Sequence, residues 1–146
     1  MTIIAWDGIQ LAADKRATIG TLIRTTTKIF RVDDNTLAAY AGEASAGEEL
    51  LAWFQDGHNP TAFPASQRDK DSYTSLLIVN RDGTLHKYES TPYPSKFPPQ
   101  QFAMGSGRDF AMAAMHCGKT SSQAVLITSE FDNGCGNGVD TLTFDN

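Results

Sequence analysis

Cysteine is scarce in this chain: 146 residues contain Cys117 and Cys135 and no others. Two cysteines cannot build a disulfide framework, and their spacing has no metal-ligand pattern. A reducing, cytoplasmic setting is the expectation. No apolar run approaches the roughly 20 residues that a bilayer span needs. The first residues lack a basic stretch followed by an apolar core, so neither a secretory leader nor membrane contact is expected. Basic charge is also short: 12 Lys and Arg against 17 Asp and Glu leave a net charge of −5, which argues against nucleic acid as a partner. His58, His86 and His116 stand alone. Gly118-Lys119-Thr120 has Ala113 where a phosphate-binding loop requires its first glycine. The loop at 132–140 lacks the acidic alternation of a calcium site. No metal and no organic cofactor is therefore expected.

Hydrophobic residues make up 40% of the chain and charged residues 20%, a globular balance. Length favours one domain over residues 1–146 with a real core. There are no internal repeats and no low-complexity tract.

Residues 2–14 read as a hairpin around Asp7-Gly8. A two-residue or a three-residue turn fits. The three-residue turn puts Ile3, Ala5, Ile9, Leu11 and Ala13 on one wholly apolar face, and Thr2, Ile4, Gln10, Ala12 and Asp14 on the other. One apolar face favours that register. Residues 22–32 read as a β-branched strand, 33–35 as a turn and 36–41 as another strand. Ala44–Phe54 has helical spacing, and Leu50, Leu51, Trp53 and Phe54 form an apolar stripe suited to a neighbouring subunit. A loop over 57–71 leads to a hairpin, 73–79 and 84–88, around Asn80-Arg81-Asp82-Gly83. The four prolines of 91–99 mark an extended connector. A short strand at 101–104 precedes Gly105-Ser106-Gly107 and a helix to about Cys117. Thr120 or Ser121 caps a second helix to about Phe131, and 139–144 is a last strand. Hairpins in sequence with helices grouped between them suggest an α+β layered domain.

Thr2 carries the most distinctive chemistry. With Met1 removed, it offers a hydroxyl nucleophile and an α-amine that acts as its base. A free α-amine titrates at about 7.7–8.0, so a modest shift suits it to neutral pH. Joined to Met1, the same residue is an ordinary strand threonine.

In order along the chain, Asp7-Gly8, Leu11-Ala12-Ala13-Asp14-Lys15-Arg16-Ala17-Thr18, Thr27-Lys28-Ile29-Phe30, Ala41-Gly42-Glu43-Ala44 and Gly105-Ser106-Gly107 resemble proteasome β-subunits and bacterial HslV peptidases. These are N-terminal-nucleophile hydrolases. The resemblance covers 2–54 and 101–116. The first hairpin looks about four residues shorter than the family's, an even change that keeps Thr2 and Asp14 on one face. The pattern is that of a compact branch of the kind phages and some bacteria carry.

The resemblance implies a four-layer α-β-β-α sandwich. It implies threonine-type hydrolysis of peptide or amide bonds inside a ring-shaped homo-oligomer, with peptides or unfolded proteins as substrates and an ATP-dependent unfoldase as a possible partner. Lys28 would lower the pKa of the Thr2 amine by disfavouring a second positive charge. Asp14 would pair with Lys28 and orient it. Gly42 would offer its N–H to the oxyanion, or simply let the chain turn from strand to helix. Ser106 would hydrogen-bond near the amine, or cap its helix. Asp132-Asn133-Gly134-Cys135-Gly136 matches an Asp-x-x-Ser-Gly segment with Cys135 in the serine's place, or is a glycine-rich loop. Arg16 would join the same network or simply be solvated, and the solvated reading is the expectation. The rival expectation is a catalytically inactive structural or assembly protein on the same fold.

Overall fold

A computed structural model describes residues 1–69, 71 and 73–145. Lys70 of the expected 57–71 loop lies outside the described residues, as do Ser72 and Asn146.

The chain begins with a hairpin of β1 (Ile4–Trp6) and β2 (Leu11–Asp14). A second hairpin follows, β3 (Arg16–Ile19) with β4 (Leu22–Thr25), which forms a separate two-stranded sheet. β5 (Ile29–Asp33) and β6 (Thr36–Ala41) lead into helix α1 (Ala44–Gln55). After two short 3₁₀ turns come β7 (Ser75–Asn80), β8 (Leu85–Tyr88) and β9 (Ser95–Phe97). β10 (Phe102–Met104), α2 (Arg108–His116), α3 (Ser121–Phe131) and β11 (Val139–Leu142) complete the chain.

Besides the β3–β4 ribbon, the described residues form two larger antiparallel sheets, one in the order β10-β1-β2-β11 and the other β5-β6-β7-β8-β9. They face one another across Ile4, Trp6, Leu11, Ala13, Leu37, Leu77, Val79 and Leu85. Helices α2 and α3 cover the outer face of the first sheet through Ile3, Ala5, Ala12, Ala111, Met115 and Val125. Helix α1 covers the second through Tyr40, Leu50, Trp53, Leu76 and Ile78. This is the expected four-layer α-β-β-α sandwich.

The first hairpin takes the two-residue register, not the three-residue one. Ile4 pairs with Ala13, Ala5 with Ala12 and Trp6 with Leu11. A search for one apolar face misplaces the turn because this sheet is buried on both faces, so apolar side chains point both ways. The turn chemistry settles the register instead. Asp7 Oδ1 accepts the N–H groups of Ile9 (2.9 Å) and Gln10 (2.8 Å), an Asx turn. Its Oδ2 accepts the N–H of Ser121 at the start of α3 (2.8 Å). Burial works to raise the Asp7 pKa, but these three donors outweigh it and hold the carboxyl below its ordinary range. One carboxylate thus ties the hairpin tip to the helix above it. Thr2 and Asp14 do not share a simple strand face, since Asp14 stands opposite Ile3 (N to O 3.1 Å).

Three further expectations change. The strand read over 22–32 breaks at 26–28, so Lys28 precedes β5 rather than lying inside it. The proline-rich connector contains β9, which pairs with the sheet edge at β8. Leu50, Leu51 and Trp53 are buried inside the chain and are not free to meet a neighbour. Exposed apolar side chains lie instead on α2 and α3 (Phe110, Met112, Leu126, Phe131) and on the β3–β4 hairpin (Ile19, Leu22, Ile23). The α3 start is as read: Thr120 and Gln123 form a reciprocal capping box.

Candidate active site

Lys28 emerges from the short link between β4 and β5 and is 5% exposed. Its ammonium has three hydrogens, and three acceptors surround it. Nζ donates to Asp14 Oδ1 at 2.8 Å, to Thr2 Oγ1 at 3.2 Å and to the Met1 carbonyl at 3.3 Å. Burying a charge this deeply is costly unless it is paired and fully hydrogen-bonded.

Asp14 is fully buried at the end of β2. Besides Lys28, its Oδ1 accepts the Ile3 N–H (3.1 Å), and its Oδ2 accepts those of Gly136 (3.0 Å) and Arg16 (3.2 Å). These donors come from the residue just before β1, from the residue two places on, and from the loop before β11. Asp14 therefore fastens three segments around the lysine.

The Thr2 nitrogen faces the opposite side and donates to Ser106 Oγ at 3.3 Å. Ser106 does not cap α2, where Gly107 holds the N-cap position without a side-chain bond. Its hydroxyl donates instead to Asp132 Oδ2 at 2.9 Å. Burial tends to raise the Asp132 pKa, but the Gly134 N–H, the Ser106 hydroxyl and the Cys135 thiol together hold it below the usual carboxylate range.

Cys135 lies 3.5 Å from Asp132 Oδ2 and 3.9 Å from Ser106 Oγ. Burial, then the charges of Asp14 and Asp132, push its pKa up to about 12. The buried sulfur is a neutral thiol and no nucleophile at neutral pH. Iodoacetamide at about pH 8 should add one label to the native chain, at exposed Cys117, and a second only after unfolding. Intact mass reads this directly. Two labels on the folded chain would show that Cys135 is accessible and ionisable.

Gly42 follows β6 with a φ of +108°, which a side chain rarely tolerates. A Cβ there would lie 2.6 Å from Thr74 Cα. The glycine therefore serves the turn into α1, and it also borders Thr2. Two clefts, of about 570 and 450 Å³, meet at Thr2, Gly42 and Tyr73. Ser106, Gly105, Lys87, Glu89 and Arg108 line the first. Lys28, Thr26, Thr18, Ile19 and Tyr40 line the second. Tyr40 is held rigidly there: its ring stacks on Phe30 at 5.4 Å, and its hydroxyl donates to Glu48 at 2.7 Å. Burial, with the Glu48 carboxylate, raises its pKa well above the ordinary tyrosine value.

Thr2, Asp14, Lys28, Gly42, Ser106 and Asp132 thus converge on one place. Arg16 joins the network rather than standing in solvent, the reading the sequence favoured. Its side chain bonds Asn133 O (2.7 Å) and Asn137 Oδ1 (3.1 Å), while its own backbone N–H serves Asp14. It clamps the loop that carries Asp132, Cys135 and Gly136. Only its place two residues after Asp14 hinted at this, since nothing in the spacing joins residue 16 to 133–137. Among the described residues, no cluster of His, Cys, Asp or Glu could hold a metal ion.

Comparison with known proteins bears on the fold that carries this arrangement. Residues 1–59 match the family described as proteasome subunit. Proteasome subunit beta 1 of Thermococcus onnurineus is 42% identical over 50 residues, 33% of this chain and 24% of that protein. The corresponding subunit of Thermococcus gammatolerans is 43% identical over 42 residues, 27% of this chain and 21% of its own. This chain therefore matches only about a quarter of the length of these relatives. The fold match is far wider. Eukaryotic HslV from Trypanosoma brucei superposes with a TM-score of 0.74 at 15% identity, covering 97% of both chains. Thiobacillus denitrificans BPH gives 0.69 at 19% identity, covering 97% of this chain and 95% of its own. The same protein has also been solved in complex with epoxomicin. The chain has the HslV and proteasome fold, and its first 59 residues resemble a proteasome subunit.

Proposed function

We propose that this chain is a threonine-type N-terminal-nucleophile hydrolase that cleaves peptide or amide bonds. The observation that carries the reading is Lys28 Nζ, which stands 3.2 Å from the Thr2 hydroxyl and 2.8 Å from a fully buried Asp14. Few structural needs would place an ammonium there, and a nucleophile needs a positive charge beside its developing alkoxide.

Removal of whatever precedes Thr2 frees its amine. The amine takes the hydroxyl proton, Oγ1 attacks the substrate carbonyl, and the Gly42 N–H receives the oxyanion. Collapse breaks the C–N bond, passes the proton to the leaving amine and leaves an ester on Thr2. Water, activated by the same amine, then releases the acid. Ser106, held by Asp132, positions the amine. Lys28 keeps the amine unprotonated by charge repulsion and steadies Oγ1.

The substrates in this reading are peptides or unfolded proteins, and the assembly is a homo-oligomer joined in part through Phe110, Met112, Leu126 and Phe131. A cytoplasmic location and an ATP-dependent unfoldase partner belong to the same proposal. The names of the relatives and the epoxomicin complex support the hydrolase reading.

The test is turnover of amide reporters by protein whose mass shows Thr2 at the N-terminus, with light scattering on the same sample. Hydrolysis that disappears in Thr2→Ala, from particles of several subunits, is the expected result. A folded monomer inert towards a broad reporter panel would favour the structural-protein reading.

A further inference from the structure

We propose that the cleft beside Ser106 holds the leaving half of the substrate, and that Arg108 selects leaving groups that carry a carboxylate. The proposal rests on the hydrolase reading and deepens it.

Proton transfer assigns the cleft. When the tetrahedral intermediate collapses, the C–N electron pair returns to nitrogen, which must gain a proton from the Thr2 ammonium. The leaving nitrogen therefore lies on the same side of Oγ1 as the Thr2 nitrogen. That nitrogen points to Ser106, which lines the 570 Å³ cleft and not the other. Lys28, beside Oγ1, lines the 450 Å³ cleft and not the first. The acyl half thus lies towards Lys28 and Tyr40, and the leaving half towards Ser106 and Arg108.

Charge then suggests what the leaving half carries. Lys87 is paired with Glu89 at 3.0 Å. Arg108 gives Nη1 to the Gly105 carbonyl at 3.1 Å and has no carboxylate partner among the described residues. One bond leaves most of its five donors unused, in the fork that suits a carboxylate. In the other cleft the cations are occupied: Lys28 by Asp14, and Arg16 by Asn133 and Asn137. A carboxylate could come from an acidic side chain just after the scissile bond or from a free C-terminus close behind it.

The experiment uses peptides with one acyl half and varied leaving halves. Aspartyl amide against asparaginyl amide tests the side chain, and free glycine against glycinamide tests the terminus. The mature chain should favour a carboxylate in kcat/KM by about fivefold at low salt, the scale of a solvent-facing charge pair. The preference should fade in about 0.5 M salt and vanish in Arg108→Gln, read as the ratio of acid to amide partners within each variant. Equal rates for acid and amide partners, or a preference that survives Arg108→Gln, would overturn the proposal.

A second arm needs no turnover. Aspartyl-glycine, a product-like amine, is titrated into Thr2→Ala and followed by backbone NMR. Shifts centred on Ser106 and Arg108 support the site even if every reporter is inert, in which case only the hydrolase reading falls. Shifts centred on Thr18 and Tyr40, or none at millimolar peptide, would refute it.

Discussion

Replacing Lys28 with alanine should lower kcat/KM on an amide reporter by at least about a thousandfold, within the range of about 10²–10⁴ that one proton-handling group contributes. It should also destabilise the fold. Asp14 would keep its three backbone donors but lose its counter-charge, and breaking a buried pair costs about 3–5 kcal/mol. Those three donors soften the loss, so about 3 kcal/mol in a urea melt is the expectation. Lys28→Arg should not rescue turnover. A planar guanidinium cannot direct single donors at Asp14, Thr2 and the Met1 carbonyl from one nitrogen, as the ammonium does. Asp14→Asn should lose turnover too, and combining it with Lys28→Ala should cost little more, because both disable one step. A near-normal rate in Lys28→Ala, with Thr2 still essential, would dismiss the mechanism.

Gly42→Ala should be the second severe change. The +108° φ costs an L-residue about 1–3 kcal/mol. The new methyl also meets backbone at Thr74 Cα, which cannot swing aside as a side-chain tip can. Relief requires the strand end to move, and the N–H proposed for the oxyanion moves with it. Loss of one oxyanion donor costs about 10²–10³ in rate. Gly20→Ala is the matched control. Gly20 has a φ of +62° in the β3–β4 turn, and a Cβ there meets nothing within 4 Å. It should cost about 1 kcal/mol of stability and leave turnover alone. If both variants kept full activity, Gly42 would be only a turn residue.

The layered fold was legible because local signals agreed with one another. The Asn80–Gly83 turn, the Thr120 helix cap and the Gly105–Gly107 helix start all appear where the sequence suggests. The first hairpin was misread because its register depends on where both faces end up. Ile3 and Ile4 are each fully buried, one under helices and one between sheets. A single-face criterion has no purchase on such a strand. The apolar stripe of α1 was misassigned to a neighbour for a related reason: hydrophobicity marks burial but not the partner, and here the partner is the β5–β9 sheet. The convergence of Thr2, Asp14 and Lys28 was legible only through family resemblance. Arg16 and the 133–137 loop meet across more than a hundred residues, a contact that no local periodicity encodes.

The central claim is that Thr2 combines a nucleophilic hydroxyl with its own amine. An α′,β′-epoxyketone peptide tests both atoms in one measurement, because its ring adduct requires a β-hydroxyl and a free amine on the same residue. While residue 1 is attached, the Thr2 nitrogen is an amide with its lone pair delocalised and cannot close that ring. Intact mass followed by peptide mapping should show one adduct per chain, located at Thr2, in protein that begins at Thr2. The same reagent should leave Met1-retaining protein and Thr2→Ala unmodified. Folded protein that begins at Thr2 and resists a panel of such reagents would contradict the account, as would an adduct placed anywhere else.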